Sequence, residues 1–496
     1  MKQPFIQRSR EPGPQRGVTM VLVAISMVAI IAMAAISIDV ITLYLAKEEA
    51  QRAADTAALA AARVISLSGV TGDPLNAPSW QAVCDGDTSP ASQTATAVAL
   101  QNVVGGAAAN SVTVTYGGPS NKVCSSLISG SPNAFSVNPT VTVLVQRTNL
   151  PNFFSRVWSR SGTNLSASAT AEVFNSSYSA SVGGSDVIPV QPACVKPWFV
   201  PNHDPMNPGQ DSNGVWCDNN DPRNPNNSCK PLVSLADGSI TNPGISLNGT
   251  NANGLIGETF GLAANCTHTG SGCSFRTNPI RANLIGNGYV NNGNGQNLLY
   301  YPGQAPTTTP VAVPSCSSGG NVYEKAIAGC DQSTAYKCGV ALSNTLDLSE
   351  NPSILGGDTS TGVQCLTHQG SAFGGPTDGQ DTLNDSAFPF QVLAGDLNPM
   401  VLNAGLTSGT PISASNSIVS LPIFDDSAVT VGGPGTTTQV TIVGFMQVFI
   451  NQIDQNASMT VTVLNVTGCG NGSTTTVGSN PVGGTSPVPI RLITPQ

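Results

Sequence analysis

The chain has 496 residues, of which 40% are hydrophobic and 9% charged, and its 19 Lys+Arg against 28 Asp+Glu leave a net charge of −9. A nucleic-acid partner calls for a clustered basic face, so the balance argues against that class, and the hydrophobic fraction is too high for wholesale disorder. Globular domains usually run near a quarter charged, so Ser, Thr, Asn and Gly must cover much of this surface, over about two to four domains by length.

The first segment, 1–17, is a basic tail with Lys2, Arg8, Arg10 and Arg16 against Glu11. Val18 to Ile38 then carries no charge, and at about 1.5 Å per residue such a helix crosses roughly 30 Å of hydrocarbon. Residues 18–45 therefore read as a single transmembrane helix. The basic residues before it predict a cytoplasmic N-terminus, with the bulk of the chain periplasmic or extracellular. Ala32-Met33-Ala34 offers a signal-peptidase site, but the apolar pattern continues through Ile36, Ile38, Val40, Ile41 and Leu43, where a mature N-terminus turns polar. Type IV prepilins, cut after a Gly such as Gly17, resemble this layout but usually place Glu where this chain has Leu22. The N-terminus is expected to be retained. Asp39 falls roughly 30 Å along the helix from Val18, at the level of the outer headgroups.

The helical pattern runs on without Gly or Pro to Gly69. Ala46, Ala50, Ala54, Ala58 and Ala62 recur every fourth residue, a packing face along which a helix or sheet can approach closely. Lys47, Glu48, Gln51, Arg52 and Asp55 make the opposite, polar face. Arg16-Gly17, the apolar span, Asp39-Val40, Leu43-Tyr44, Ala46-Lys47 and Gln51-Arg52-Ala53-Ala54-Asp55-Thr56-Ala57-Ala58-Leu59-Ala60-Ala61-Ala62 together resemble the N-terminal module of Flp pilus-assembly TadE/TadG-like proteins over residues 16–63. Gly17, Asp39, Tyr44, Gln51, Ala53, Ala54 and Asp55 carry the likeness. The resemblance implies a bitopic protein of the bacterial inner (cytoplasmic) membrane, belonging to a tight-adherence (Tad) pilus system. Its implied partners are that membrane and other Tad/Flp pilus-assembly components or pilin subunits, with no nucleic acid.

Residues 64–178 read as an α/β extension. Ser89 to Val104 has helical spacing, Val112/Val114/Tyr116 and Val141/Val143/Val145 alternate as strands, Asn149 to Arg160 suggests a short amphipathic helix with Phe153, Phe154, Val157 and Trp158, and Leu165 to Val173 alternates again. A long helix laid on a small sheet is a stable pairing of layers and looks pilin-like. A Ser/Gly linker at 179–185 leads to 186–496, read as a β-rich, loop-rich extracytoplasmic domain. Its clearest strands are Ile418 to Phe424, Val440 to Ile453 (apolar on both faces, as in a covered central strand), Met459 to Val466 and Val488 to Ile493. The fold class is thus α+β.

Twelve cysteines in an external, loop-rich chain fit disulfides. The candidates are Cys84, Cys124, Cys266, Cys273, Cys330 and Cys338, with Cys84 and Cys124 the two that fall inside 64–178. The sequence offers no Gly-x-Ser-x-Gly elbow and no phosphate loop, and no catalytic residue, cofactor or metal site is assigned. His203, His268 and His368 read as surface loop residues, and Asp425-Asp426 as a turn. Asp237-Gly238-Ser239-Ile240-Thr241 resembles the metal motif of von Willebrand factor A-like domains, yet Asn242-Pro243-Gly244 breaks the helix that should follow. His203, Asp204, Asp211, Asp218 and Asp221 offer calcium-type oxygen ligands without the EF-hand register. The expected function is a non-enzymatic structural or assembly subunit acting through protein contacts. The alternative is a membrane-tethered adhesin or glycan-binding protein, in which Trp198 and Trp216 would stack on sugars.

Overall fold

The computed structural model describes residues 16–151, 154, 162–177, 190–206, 230–250, 254–264, 266–269, 272–275, 297–303, 322–330, 336–347, 358–370, 379–427, 429, 431, 436–453, 458–469, 482–484 and 486–493. The expected linker at 179–185 lies outside them, as do Trp216, Asp211, Asp218 and Asp221. Compactness divides the chain into two units: Met1–Ala57 with Thr96–Thr113 and Val143–Ala169, and Ala58–Ala95 with Val114–Thr142 and Thr170–Gln496. These units do not follow the boundaries drawn from sequence at 64–178 and 186–496. The class is α+β, with a long apolar N-terminal helix and a β-rich remainder.

Helix α1 runs unbroken from Arg16 to Ser68, 53 residues: no Gly or Pro interrupts it after Gly17, and alanine, the strongest helix former, recurs throughout its second half. It stops at Gly69, whose φ of 74° is left-handed and suits glycine at a helix end. A Cβ there would stand 2.3 Å from the Leu464 carbonyl oxygen. The expected helix after Ser89 forms at Pro90–Gln101.

The principal strands in chain order are β1 (Ser111–Tyr116), β2 (Thr140–Leu150), β3 (Thr163–Val173), β4 (Trp198–Pro201), β5 (Ile245–Gly249), β6 (Ile256–Ala264), β7 (Asn297–Pro302), β8 (Ile418–Phe424), β9 (Ile442–Ile453), β10 (Met459–Gly468) and β11 (Ile490–Ile493). A four-stranded sheet has the order β11-β3-β2-β1. Its edge strand β11 belongs by sequence to the C-terminal module. Ile490 pairs with Val173 and Ile493 with Thr170, antiparallel, so the last described strand completes the sheet expected of the first module. Asn149 and Leu150 end β2, so the short helix expected from Asn149 begins as strand; of 151–160, only Pro151 and Phe154 are among the described residues.

The second unit contains a seven-stranded sheet, β7-β4-β8-β9-β10-β6-β5. β7 also pairs in parallel with β6, from Asn297↔Gly261 to Tyr300↔Ala264, so the sheet closes on itself. β9 is central and nearly all buried, which explains why its sequence is apolar on both faces. Trp198, Tyr300, Tyr301, Phe260, Phe424 and Phe445 fill the core. The Trp198 indole donates to the Tyr323 hydroxyl at 3.1 Å, and burial pushes that phenol up to about 12. Trp198 is therefore a core residue rather than an exposed sugar platform.

Cys84 is joined to Cys124, Cys194 to Cys330 and Cys338 to Cys469. The candidates Cys330 and Cys338 thus have other partners than each other. Cys266 and Cys273 lie on two paired short strands, Cys273 opposite His268 and Cys266 opposite Phe275. Non-reducing peptide mapping is expected to recover the three linked pairs and no Cys330–Cys338 link. A Cys84→Ser/Cys124→Ser double variant is expected to lose about 3–4 kcal/mol in denaturant unfolding, the chain-entropy value for a loop of this length.

Glu258 on β6 is fully buried, and neither carboxylate oxygen has a hydrogen-bond partner. Burial, then the Asp204 carboxylate, pushes it from 4.5 up to about 9. The folded state therefore holds a proton that the unfolded chain releases above pH 4.5. This contribution to stability is complete below pH 4.5 and is lost as pH rises through about 9. Lys196, whose amine burial lowers to about 7, works in the opposite direction above that pH. The stability difference between Glu258→Gln and the parent chain isolates the first effect. It is expected to move in favour of the variant as chemical-denaturation curves are taken from pH 5 to pH 9, and a pH-independent difference would show that Glu258 does not hold the proton.

Candidate functional site

The residues singled out on α1 are placed by one helix and the strands beside it. In the first unit Ala46, Ala50 and Ala54 are buried, and so are Ala53 and Ala57. In the second unit Ala58, Ala61, Ala62 and Ile65 continue the burial. The face is therefore wider than an every-fourth-residue stripe, because successive turns contribute at both three and four residues.

The polar face differs from its sequence reading. The Lys47 ammonium donates to the Ser166 carbonyl. The Gln51 amide donates to the Ser168 carbonyl at 3.1 Å and to the Asp55 carboxylate at 2.8 Å. On another side the Gly105 N–H donates to the Glu49 carboxylate at 2.7 Å. Lys47 and Gln51 thus fasten the helix to β3 rather than facing water alone, while Glu48 and Arg52 are exposed. Gly105, at φ 57°, lies where a Cβ would meet the Leu150 side chain at 2.2 Å.

Asp39 is buried, and its two carboxylate oxygens accept the Phe154 backbone N–H at 3.2 and 3.1 Å. Tyr44 is exposed, and Gly17 lies in the first turn of α1. From Met20 to Leu45 most of the large apolar side chains of the helix stand open, Met20, Val21, Leu22, Ile30, Ile31, Val40 and Ile41 among them, while Leu43 is half-buried. This stretch is long and apolar enough to cross a membrane. Beyond it, in the second unit, the Ser66 hydroxyl donates to the Val488 carbonyl at 2.6 Å and the Asn465 amide to the Ser66 carbonyl at 2.9 Å.

Residues 17–64 match the family model described as putative Flp pilus-assembly TadE/G-like. This stretch is a TadE/G-like segment. It covers the apolar run of α1 and its alanine face through Ala62. No curated protein and no solved structure is matched by the chain.

The remaining chemistry-bearing residues of the second unit are mostly tied into the fold. His203 is buried, not a surface residue, and its Nε2 lies 2.6 Å from the Asp426 carboxylate. The polar composition around it disguised that pairing. Asp425 accepts from the Ser427 N–H and hydroxyl, which is a turn. Asp237 likewise accepts from the Ser239 N–H and hydroxyl, and Val233 pairs with Ile240, so the A-domain-like motif is a tight turn between extended segments. A cavity of about 760 Å³ is lined in part by Arg63, Lys196, His368, Ser415 and Gln447. Lys196 donates to the Ile327 and Gly329 carbonyls at the end of the helix Val322–Ala328, a favourable place for a cation. The Ser415 hydroxyl donates to Asp381, while His368 Nε2 sits 3.0 Å from the Asn416 amide nitrogen. A serine nucleophile would instead need the histidine as its hydrogen-bonded base. Among the described residues, no group of three or more His, Cys, Asp or Glu could hold a metal ion.

The burial of Ala54 makes a sharp test, with the exposed Arg52 as the control. Ala54→Leu is expected to cost about 1–3 kcal/mol by overpacking, read as lost protease resistance and a lower denaturant midpoint. Arg52→Leu should stay within about 0.5 kcal/mol, as surface changes usually do. Leucine is a good helix former at both positions, so equal tolerance would mean that the alanine face is not closely packed.

Proposed function

We propose that this chain is a membrane-anchored structural or assembly subunit of a Flp-type, tight-adherence pilus system, working through protein contacts rather than catalysis. The observation that supports this reading most is the coincidence of the TadE/G-like segment with one helix that changes character along its length. Most of its large apolar side chains are open up to Leu45, and most of its alanines are buried from Ala46 onward. Open apolar surface on that scale needs a covering, and a lipid bilayer suits the length of the run. In this proposal the basic tail lies in the cytoplasm, 18–45 crosses the inner membrane, and the β-rich remainder stands outside with its disulfides. Partners are other Tad/Flp components or pilin subunits. Burial of Trp198 removes one support for a glycan-binding alternative.

Alkaline phosphatase fused after Gly69 is expected to be active, since it needs an extracytoplasmic location; an inactive, stable fusion would reverse the orientation. Deleting the chain in its host is expected to abolish surface pili. Intact piliation would remove the assembly role.

A further inference from the structure

The covered stripe of α1 extends into its apolar run. Ala35 and Asp39 are buried while Ile36, Ile38, Val40, Ile41 and Leu45 around them are exposed. Phe154 lies beside this part of the helix. Its N–H is held by the Asp39 carboxylate, and the residue is 43% exposed. The axial levels follow from helix geometry. Ser168 meets α1 at Gln51 and Ser166 meets it at Lys47, whereas Phe154 meets it at Asp39. Asp39 lies about 12 Å closer to the N-terminus than Lys47 at ~1.5 Å per residue. After Leu150, the chain has thus reached the level of the apolar run.

We propose that Phe154 is a membrane-interface anchor: its ring lies at the headgroup–acyl boundary of the outer leaflet, and Asp39 is the positioning residue that holds it there. This rests on the single-pass reading of 18–45 given above. A backbone N–H brought to the edge of the hydrocarbon loses water and must find an acceptor. The Asp39 carboxylate is that acceptor, which gives a charged side chain within an apolar helix a physical role. An aromatic ring presented at that depth favours the interface. Tyr44, 66% exposed and little more than one turn further out, supplies a second ring to the same belt.

The full chain, reconstituted in phosphatidylethanolamine–phosphatidylglycerol vesicles, can carry a genetically encoded fluorescent amino acid at Ile30, Phe154 or Arg52. Lipids brominated on the acyl chain should quench the probes at Ile30 and Phe154, with bromine near the headgroup most effective for Phe154. Aqueous iodide should quench the probe at Arg52. Iodide quenching at Phe154 matching that at Arg52, with Ile30 still quenched by bromolipid, would overturn the anchor and leave the single-pass reading standing. Iodide quenching at Ile30 would overturn the single-pass reading itself. Asp39→Leu keeps the helix apolar and removes the acceptor. It should shift Phe154 quenching from bromolipid toward iodide, and an unchanged profile would overturn the role given to Asp39.

Discussion

A helix can approach a sheet only as closely as its side chains permit, and α1 approaches on alanine. Ala46, Ala50, Ala53, Ala54 and Ala57 add little bulk to the helix, so the long side chains at their flanks reach the backbone of a strand. Lys47 and Gln51 bond to carbonyls of β3, and Glu49 takes the N–H of Gly105. A larger residue would lengthen each of these distances together. Gly105 must itself be small for a different reason, since a Cβ there would meet the Leu150 side chain. The same rule operates in the second unit, where Ala58, Ala61 and Ala62 precede a Ser66 bonded to Val488 and Asn465, and Gly69 ends the helix against Leu464.

How much of this could be read from the sequence depends on whether the signal is local. The helix, its alanine face and its family likeness rest on spacing within a few turns, and all could be read directly. So could Ile418–Phe424 and the doubly covered β9, because period-two alternation and continuous apolarity are properties of single strands. Pairing partners are not local. Nothing in Ile490–Ile493 announces that it pairs with Thr170–Val173, or in Asn297–Pro302 that it closes the larger sheet against β6. A polar helix face is equally ambiguous. Periodicity places Gln51 and Arg52 together, but only the neighbouring strand decides that Gln51 finds a carbonyl while Arg52 meets water. His203 is a case of the same kind: its polar surroundings suggest a surface loop, while its partner Asp426 is 223 residues away.

The low charge content has a structural counterpart inside the second unit. Buried amides and hydroxyls there act as extra backbone. Asn202 both donates to the Val233 carbonyl and accepts the Val233 N–H. Asn175 accepts from the Thr467 hydroxyl at 2.8 Å, and the Gly468 N–H donates to the Ser177 hydroxyl at 2.7 Å. Asn465 reaches the Ser66 carbonyl. An asparagine carries one acceptor and two donors on a short stem, so it can close a strand or loop whose own partner is missing. Ser, Thr and Asn therefore serve the interior as well as the surface, and their abundance reflects both.

Such stitches respond to the surroundings differently from ion pairs. Exposed pairs such as Lys122–Asp87 contribute little and weaken as salt rises. Neutral hydrogen bonds shielded from water are not screened in that way, and disulfides such as Cys338–Cys469 constrain the unfolded chain at any ionic strength. A body built on amide stitches and crosslinks, with few charges, keeps its fold through changes of salt that would loosen a charge-laced surface.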